Sequence, residues 1–162
     1  MITVKAEEKD LKEILDITAE QRAYLKSAGI PQWQNEYPSY DTFSEDLKLA
    51  RLYVAKEDDK VAGFFALVYP DHNYDYIEDG KWLNDSPYIA VHRMAVSNAY
   101  KGRGFSSKMF SYVKEHYGHI RVDTHSVNKV MNSSLVKNGF VYTGVVYMED
   151  GTPRNAYEWL KK

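Results

Sequence analysis

The sequence predicts a mixed α/β (α+β) protein with a mostly antiparallel central sheet of six to seven strands, flanked by about four helices. Two observations support this prediction. Short runs with alternating or continuous apolar residues are separated by segments whose apolar residues recur every three or four positions. Several strand-like runs also follow one another across short polar turns, which is typical of antiparallel hairpins. We expect a single domain over residues 1–162, because no linker or repeat interrupts the chain.

The N-terminal part is predicted to hold one strand, two helices and an aromatic loop. Residues 2–6 alternate like a short strand. Residues 8–28 carry apolar positions at helical spacing, and Gly29 follows as a stop. Residues 30–40 contain two prolines and several aromatic side chains and are predicted to be a loop. A short helix is expected over residues 42–50.

The remaining elements alternate between strands and helices. A hairpin turning at Asp58-Asp59 is predicted for residues 51–57 and 60–69, and a polar, acidic loop for residues 70–87. The later elements are a strand (88–97), a helix (106–117), a strand (119–125), a helix ending at Asn138-Gly139 (128–138) and an antiparallel pair around Asp150-Gly151 (140–148 and 154–161).

Composition excludes several classes of function. The 21 basic and 23 acidic residues give a net charge of −2, which argues against nucleic acid as the main partner. The absence of cysteine removes disulfides, thiolate metal sites and a cysteine nucleophile. The N-terminus lacks the apolar run of a signal peptide, and the longest apolar run, residues 61–69, is too short to span a bilayer. We therefore expect a cytoplasmic protein without a membrane partner, and no metal site, because the histidines lack a clear ligand arrangement.

The segment YKGRGFSS, residues 100–107, is here called the glycine turn, and it joins a strand-like run to a helix-like run. One interpretation is a plain surface turn, because glycine is common in turns and basic side chains are usually solvated. A second is a dinucleotide fingerprint, since Gly102-x-Gly104-x-x-Ser107 is one residue short of G-x-G-x-x-G and Asp123 follows about 20 residues later. The turn comes too late for the rest of the chain to build a doubly wound domain, which argues against the fingerprint.

A third interpretation of the glycine turn is a binding site for a pyrophosphate. Glycines let the backbone approach a ligand closely, so that successive N–H groups converge on phosphate oxygens. The N-terminus of the following helix adds partial positive charge, and Lys101 and Arg103 add full charges. A coenzyme that ends in a 3′-phosphorylated ADP group suits such a site.

These residues resemble the coenzyme-binding motif of the GNAT N-acetyltransferases, Gln/Arg-x-x-Gly-x-Gly/Ala. Here the motif is Lys101-Gly102-Arg103-Gly104-Phe105-Ser106, in which Gly104 matches the central glycine. Residues 92–110 resemble the family's strand–loop–helix motif, and residues 128–140 resemble its next helix with the Gly-Phe ending. The resemblance implies a GNAT-like fold over nearly the whole chain.

The resemblance also implies that acetyl-CoA is the co-substrate and assigns residues to it. The strand offers backbone groups to the pantetheine arm and to the oxyanion of the reaction, the glycine turn binds the pyrophosphate, and an asparagine bonds a pantetheine amide. In this sequence the residues at those positions are Met94, Ala95, Val96, Lys101, Gly102, Arg103, Gly104, Phe105, Ser106, Ser107 and Asn128. Asn128 is also a candidate helix N-cap.

His92 is the first candidate for the catalytic base. Ala90, His92, Met94 and Val96 are predicted to share one strand face, and some family members place a base at the position of His92. Histidine titrates near neutral pH, which suits the removal of a proton from an ammonium group. The alternative is a hydrogen-bonded histidine of the core. Arg93, on the opposite face, is expected to form a structural ion pair.

His125, at the end of a strand, is the second catalytic candidate, with Asp123 as the residue that would orient it and a structural role as the alternative. Many family members carry a tyrosine seven residues after the asparagine that matches Asn128, and this tyrosine can protonate the departing thiolate. Leu135 occupies that position here. The family's usual acid therefore cannot be transferred to this chain.

Two loops are candidates for acceptor recognition. Trp33, Tyr37 and Tyr40 could line an acceptor pocket or simply pack the helix connection. The acidic residues of segment 71–82 could attract a cationic acceptor or be solvated. We expect direct transfer of acetyl from acetyl-CoA to a primary amine of a small molecule or peptide in a ternary complex, and the resemblance makes a homodimer plausible. The alternative is a non-catalytic acyl-CoA-binding sensor or interaction module.

Overall fold

A computed structural model describes residues 1–162 and contains seven strands and four α-helices in the predicted order. The strands are β1 (Ile2–Lys5), β2 (Leu52–Glu57), β3 (Lys60–Val68), β4 (Ile89–Val96), β5 (His119–Thr124), β6 (Val141–Tyr147) and β7 (Pro153–Leu160). The helices are α1 (Leu11–Ser27), α2 (Tyr40–Lys48), α3 (Phe105–His116) and α4 (Lys129–Lys137). Short 3₁₀ turns cover Glu8–Asp10, His72–Tyr74 and Asn98–Tyr100.

The strands form one mixed sheet in the order β1-β2-β3-β4-β5-β7-β6. The pairs β1–β2, β2–β3, β5–β7 and β6–β7 are antiparallel, whereas β4 and β5 run parallel. The parallel ladder contains only the pairs Ile89–Ile120 and Ala90–Arg121, so that Met94–Val96 take no part in it. These observations confirm the predicted mixed, mostly antiparallel sheet.

Local chemistry explains where individual elements begin and turn. Helix α2 begins at Tyr40, two residues before the predicted start, because the Ser39 hydroxyl accepts a hydrogen bond from the Thr42 N–H and Thr42 bonds back to the Ser39 N–H. The β2–β3 hairpin turns at Asp58 and Asp59, whose φ angles of 51° and 63° suit a tight hairpin turn. Aspartate tolerates this left-handed backbone better than most residues.

The chain packs as two compact units, the first formed by Met1–Leu67 and Arg93–Met109, the second by Val68–His92 and Phe110–Lys162. The core of the first unit includes Ile14, Phe43 and Phe64, all fully buried. The core of the second unit is formed by Tyr74, Ala90, Val146 and Ala156, with Tyr88 and Trp82 packed against it. The single domain over residues 1–162 stays a prediction. None of the helices is long and apolar enough to cross a membrane.

The connection between β3 and β4 is organised by contacts with the rest of the second unit. The Trp82 Nε1–H donates to the Tyr74 carbonyl at 2.9 Å. The Leu83 N–H donates to the carboxylate of Glu158 at 2.6 Å, and Glu158 is fully buried and also accepts from His119 and Arg121. This connection therefore has a defined conformation, although the sequence shows only a polar, acidic loop.

Candidate active site

The glycine turn has the backbone geometry that the pyrophosphate interpretation requires. Gly102 and Gly104 both have φ = +77°, a left-handed conformation that favours glycine. A Cβ atom built on either glycine would meet no atom within 4 Å, so both backbones face open space. The first helical hydrogen bond of α3 runs from the Lys108 N–H to the Gly104 carbonyl at 3.1 Å. The N–H groups of residues 105–107 therefore precede the helical ladder and are available at the end of the helix.

The side chains of the glycine turn are largely engaged within the first unit. Arg103 donates to the Glu57 carboxylate at 2.9 Å, and the Lys101 ammonium lies 4.7 Å from the centroid of the Tyr24 ring. Phe105 is buried and packs edge-on against Tyr100, with ring centroids 5.2 Å apart. The open side of the turn is therefore formed by backbone groups, and Phe105 contributes its backbone and not its ring.

The other residues expected to bind the coenzyme differ in exposure. Met94 and Ala95 are buried, which leaves their backbone groups as the atoms available to a ligand. The Ala95 carbonyl lies so close to Gly63 that a Cβ there would approach its oxygen to 2.8 Å. Asn128 is the N-cap of α4, because its side-chain oxygen accepts from the Met131 N–H at 3.2 Å. The predicted capping role of Asn128 is confirmed, and its contact with coenzyme stays a prediction.

His92 is paired with a carboxylate in the second unit. Its Nε2 lies 2.7 Å from Oδ2 of Asp71, and both side chains are largely buried. Burial favours a higher pKa for Asp71, but the hydrogen bond and positive charge of His92, and the Asn73 N–H, lower that pKa below its ordinary value. Asp71 is therefore ionised at neutral pH and can only accept a hydrogen bond.

The ionised carboxylate decides which nitrogen of neutral His92 carries the proton. Because Asp71 accepts, Nε2 is the protonated nitrogen and Nδ1 keeps its lone pair. No protein group bonds to Nδ1 of His92 in the structure. A carboxylate that orients an imidazole and stabilises its protonated form is the arrangement that general bases of acyl-transfer enzymes use. Sequence reasoning placed Asp71 only in an acidic loop and did not assign it to His92.

Asp123 and Tyr74 complete the cluster around His92. Asp71, His92 and Asp123 each offer one ligand atom, and these three atoms lie within 4.8 Å of one another. The Tyr74 hydroxyl donates to Oδ2 of Asp123 at 2.6 Å, and burial followed by the charge of Asp123 raises the pKa of Tyr74 well above its usual range. Nitrogen and carboxylate ligands of this kind suit several divalent cations. The expected absence of a metal therefore stays a prediction.

His125 lies at the end of β5 and takes part in the turn before α4. Its Nδ1 accepts a hydrogen bond from the Val127 N–H at 3.2 Å. Burial, and then the positive charge of Arg154, lower the pKa of His125. Leu135 is fully buried, so the position where relatives often carry a tyrosine offers no proton donor.

The aromatic residues proposed for the acceptor belong to the first unit and have unequal exposure. Trp33 stacks on Phe64 with ring centroids 6.3 Å apart, and its carbonyl accepts from Arg22, so it packs against the core. Tyr37 and Tyr40 are 47% and 52% exposed and remain accessible to a ligand. The Tyr37 hydroxyl also accepts from Arg93 at 3.1 Å. A role of these three residues in acceptor binding stays a prediction.

Comparisons with known proteins agree with this geometry. The acetyltransferase (GNAT) family model matches residues 12–140. A solved structure of a GNAT-family acetyltransferase from Streptococcus agalactiae is 32% identical, covers 99% of this chain and 95% of that chain, and has a TM-score of 0.93. No match was found among curated proteins.

Two further solved structures are similar at lower identity and show the fold alone. A GNAT-family acetyltransferase from Listeria monocytogenes is 22% identical with a TM-score of 0.71, covering 98% of this chain and 94% of that chain. One from Bacillus cereus is 21% identical with a TM-score of 0.67, covering 99% and 97%. The family match over residues 12–140, together with the Streptococcus agalactiae structure, shows that this chain belongs to the GNAT acetyltransferase family.

Proposed function

We propose that this protein is an N-acetyltransferase that moves the acetyl group of acetyl-CoA to a primary amine of a small molecule or peptide. The transfer is direct, in a ternary complex of protein, acetyl-CoA and amine. The observation that carries the proposal is the β4–turn–α3 unit with two left-handed glycines facing open space. Family membership supports the same activity class.

The residues of the glycine turn fit the pyrophosphate of acetyl-CoA. A Cβ at Gly102 or Gly104 would occupy the open space beside the backbone, where a phosphate needs to approach. The N–H groups of residues 105–107 and the dipole of α3 favour an anion at the same place. The backbone of Met94–Val96, which is outside the parallel ladder, would bind the pantetheine arm. When bound, acetyl-CoA supplies the activated acetyl group.

His92 prepares the acceptor for attack. An ammonium group has no lone pair, so it must first lose a proton. Nδ1 of His92 accepts that proton, while Nε2–H remains bonded to Asp71, whose negative charge stabilises the imidazolium that forms. The acceptor nitrogen then carries the lone pair that attacks the acetyl carbonyl. As the new C–N bond forms, the C–S bond of the thioester breaks and CoA leaves as its thiolate. Asp71 is a positioning residue for His92.

A non-catalytic acyl-CoA-binding sensor is the second candidate function. Leu135 favours it, because a fully buried leucine replaces the tyrosine that could protonate the departing thiolate. A sensor would keep the glycine turn and bind the coenzyme, but it would not acetylate any amine. The two candidates therefore differ in turnover and not in coenzyme binding.

The first experiment is calorimetric titration with acetyl-CoA of the native protein and of Gly104→Ala and Gly151→Ala. Both glycines have left-handed backbones, at +77° and +83°, and open space at the Cβ position, so both variants carry similar backbone strain. We expect Gly104→Ala to weaken binding at least about tenfold, or roughly 1.4 kcal/mol. Gly151→Ala should bind like the native protein. Equal affinity of both variants would overturn the assignment of the turn.

The second experiment measures turnover on a panel of primary amines as a function of pH. Native protein should release free CoA with at least one amine, and His92→Gln should lose the acidic limb of the kcat/KM profile. Coenzyme binding without turnover on the whole panel would support the sensor. A profile that is unchanged in His92→Gln would remove His92 as the base.

A further inference from the structure

Arg154, near the start of β7 in the second unit, is a largely buried arginine whose Nε has no hydrogen-bond partner. Its side chain is only 18% exposed, and its Nε is buried and has no partner. The nearest carboxylate oxygen is Oδ1 of Asp123, 3.8 Å from Nη1, which is too far for a hydrogen bond. Buried polar groups are nearly always hydrogen bonded, so the Nε of this guanidinium lacks the acceptor it would ordinarily have.

Other buried arginines of the chain show the usual arrangement. Arg121 donates to Glu158 at 3.1 Å and to the Asn84 carbonyl at 2.7 Å. Arg93 donates to both carboxylate oxygens of Asp46, at 2.8 and 2.7 Å. Guanidinium groups bind carboxylates in such two-point contacts. Arg154 differs from both in that its Nε has no partner and its nearest carboxylate oxygen is 3.8 Å away.

The position of Arg154 ties it to the cluster around His92. It lies beside Asp123, and Asp123, Asp71 and His92 converge within 4.8 Å. Oδ2 of Asp123 is already bonded to Tyr74, which leaves Oδ1 on the side of Arg154. Two carboxylates and one guanidinium therefore lie next to His92. The site can thus bind a positive charge at the carboxylates and a negative charge at the guanidinium, only a few ångströms apart.

We propose that the acceptor is a small amino acid, whose carboxylate binds Arg154 and whose ammonium lies against Asp123, within reach of Nδ1 of His92. This inference rests on the proposed acetyltransferase function and names its substrate class. An α-amino acid carries both charges on one carbon, which matches the short separation of Arg154 from Asp123. A diamine of similar size would instead place its second cation against the guanidinium, where like charges repel.

The test compares the common α-amino acids with their carboxamides, in which the carboxylate is replaced by a neutral amide. Turnover with acetyl-CoA is measured for the native protein, Arg154→Gln, Arg154→Lys and the control Lys161→Gln, an exposed C-terminal substitution. For its preferred acceptor, the native protein should favour the acid over the amide by about 10- to 100-fold in kcat/KM, because a site built for a charged group rejects the analogue lacking it.

Arg154→Gln should remove this preference, mainly by raising KM for the acid until acid and amide are used about equally. Arg154→Lys should restore part of the preference, because it returns the charge without the planar geometry. Lys161→Gln should behave like the native protein. Equal use of acid and amide by the native protein, or equal losses of both in Arg154→Gln, would overturn the inference and leave the acetyltransferase function intact.

A binding measurement separates failure of the inference from failure of the proposed function. Calorimetric titration with the amino acids and their amides, with acetyl-CoA absent and then with CoA present, does not require turnover. Binding of an acid that is weakened in Arg154→Gln supports the subsite even if no amine is acetylated. Absence of any amino-acid binding to the native protein, in both titrations and without turnover, overturns the inference. Unfolding midpoints show whether each variant is folded.

Discussion

The buried carboxylate of Asp46 in α2 should be one of the most sensitive positions for stability. Asp46 is fully buried and accepts two hydrogen bonds from Arg93, at 2.8 and 2.7 Å, and one from Arg51 at 2.7 Å. Both arginines are partly buried, with 11% and 29% of their side chains exposed. We therefore consider Asp46→Asn, which removes the charge and keeps the size of the side chain.

The expected cost follows from this burial. Removing one partner of a buried ion pair leaves an uncompensated charge and costs about 3–5 kcal/mol. Asparagine keeps one oxygen that can accept from Arg93, so we expect the lower end, about 3 kcal/mol. In a protein of this size each kcal/mol lowers the unfolding midpoint by roughly 2–4 °C, so the shift should be roughly 6–12 °C.

Thermal unfolding by circular dichroism, together with urea titration, measures this loss. Asp16→Asn is the matched control, because Asp16 forms an exposed ion pair with Lys12 at 3.2 Å, and such pairs contribute little. The midpoint of the control should stay close to that of the native protein. If Asp46→Asn shifts the midpoint no more than Asp16→Asn does, the buried ion pair does not stabilise the fold as argued here.

Two further substitutions test local features of the second unit. Gly80→Ala should destabilise the protein by about 1–3 kcal/mol in urea titration, because its Cβ would lie 1.9 Å from the Thr143 carbonyl oxygen and overpacking costs this much. Gly118→Ala, whose Cβ would be 3.7 Å from its nearest neighbour, is the control, and equal effects would contradict the argument. Asp71→Asn should lower the free energy of unfolding at neutral pH, because the folded pKa of Asp71 lies below its ordinary value of 3.8. That contribution is present above pH 3.8 and disappears as the pH falls through the lowered folded pKa. Plots of unfolding free energy against pH for the native protein and for Asp71→Asn should therefore converge in acid. Plots that stay parallel would refute this assignment.

The order of elements could be predicted from the sequence because each element has a local pattern. The strand β3 has a continuous apolar run, and α4 ends at Asn138-Gly139 as expected. The β3–β4 connection could not be predicted, because its conformation depends on distant partners. The Glu78 backbone pairs with Val145 on β6, and the Leu83 N–H donates to the Glu158 carboxylate on β7. Neither contact is reflected in a periodic pattern of apolar residues that sequence analysis could detect.

The candidate site was predictable only in part, for the same reason. The glycine turn and His92 stand out locally, by residue type and by their places at a strand and its end. Asp71 is one of several acidic residues in its loop, and nothing near it distinguishes it from Asp75. Only the fold brings Asp71 to Nε2 of His92. Arg154 likewise looks like an ordinary strand residue in the sequence, and only the structure shows that its buried Nε has no partner.

Strand β4 shows how neighbouring residues acquire different roles. His92 bonds to Asp71, whereas the next residue, Arg93, bonds to Asp46, which bears out the expected structural ion pair. Arg93 has φ = +53°, a left-handed conformation that costs a non-glycine residue about 1–2 kcal/mol. In a regular strand His92 and Met94 share one face, but a left-handed residue between them interrupts that alternation, so the predicted common face cannot be extended past residue 93.

The ion pair of Arg93 therefore does more than stabilise the core. A strained backbone persists only where surrounding contacts outweigh its cost, and the two-point contact with buried Asp46 supplies them. The left-handed residue lies in the sequence between His92, which we propose as the base, and Met94–Val96, which we propose as coenzyme-binding backbone. Through this contact Asp46 holds the backbone of Arg93 in its left-handed conformation.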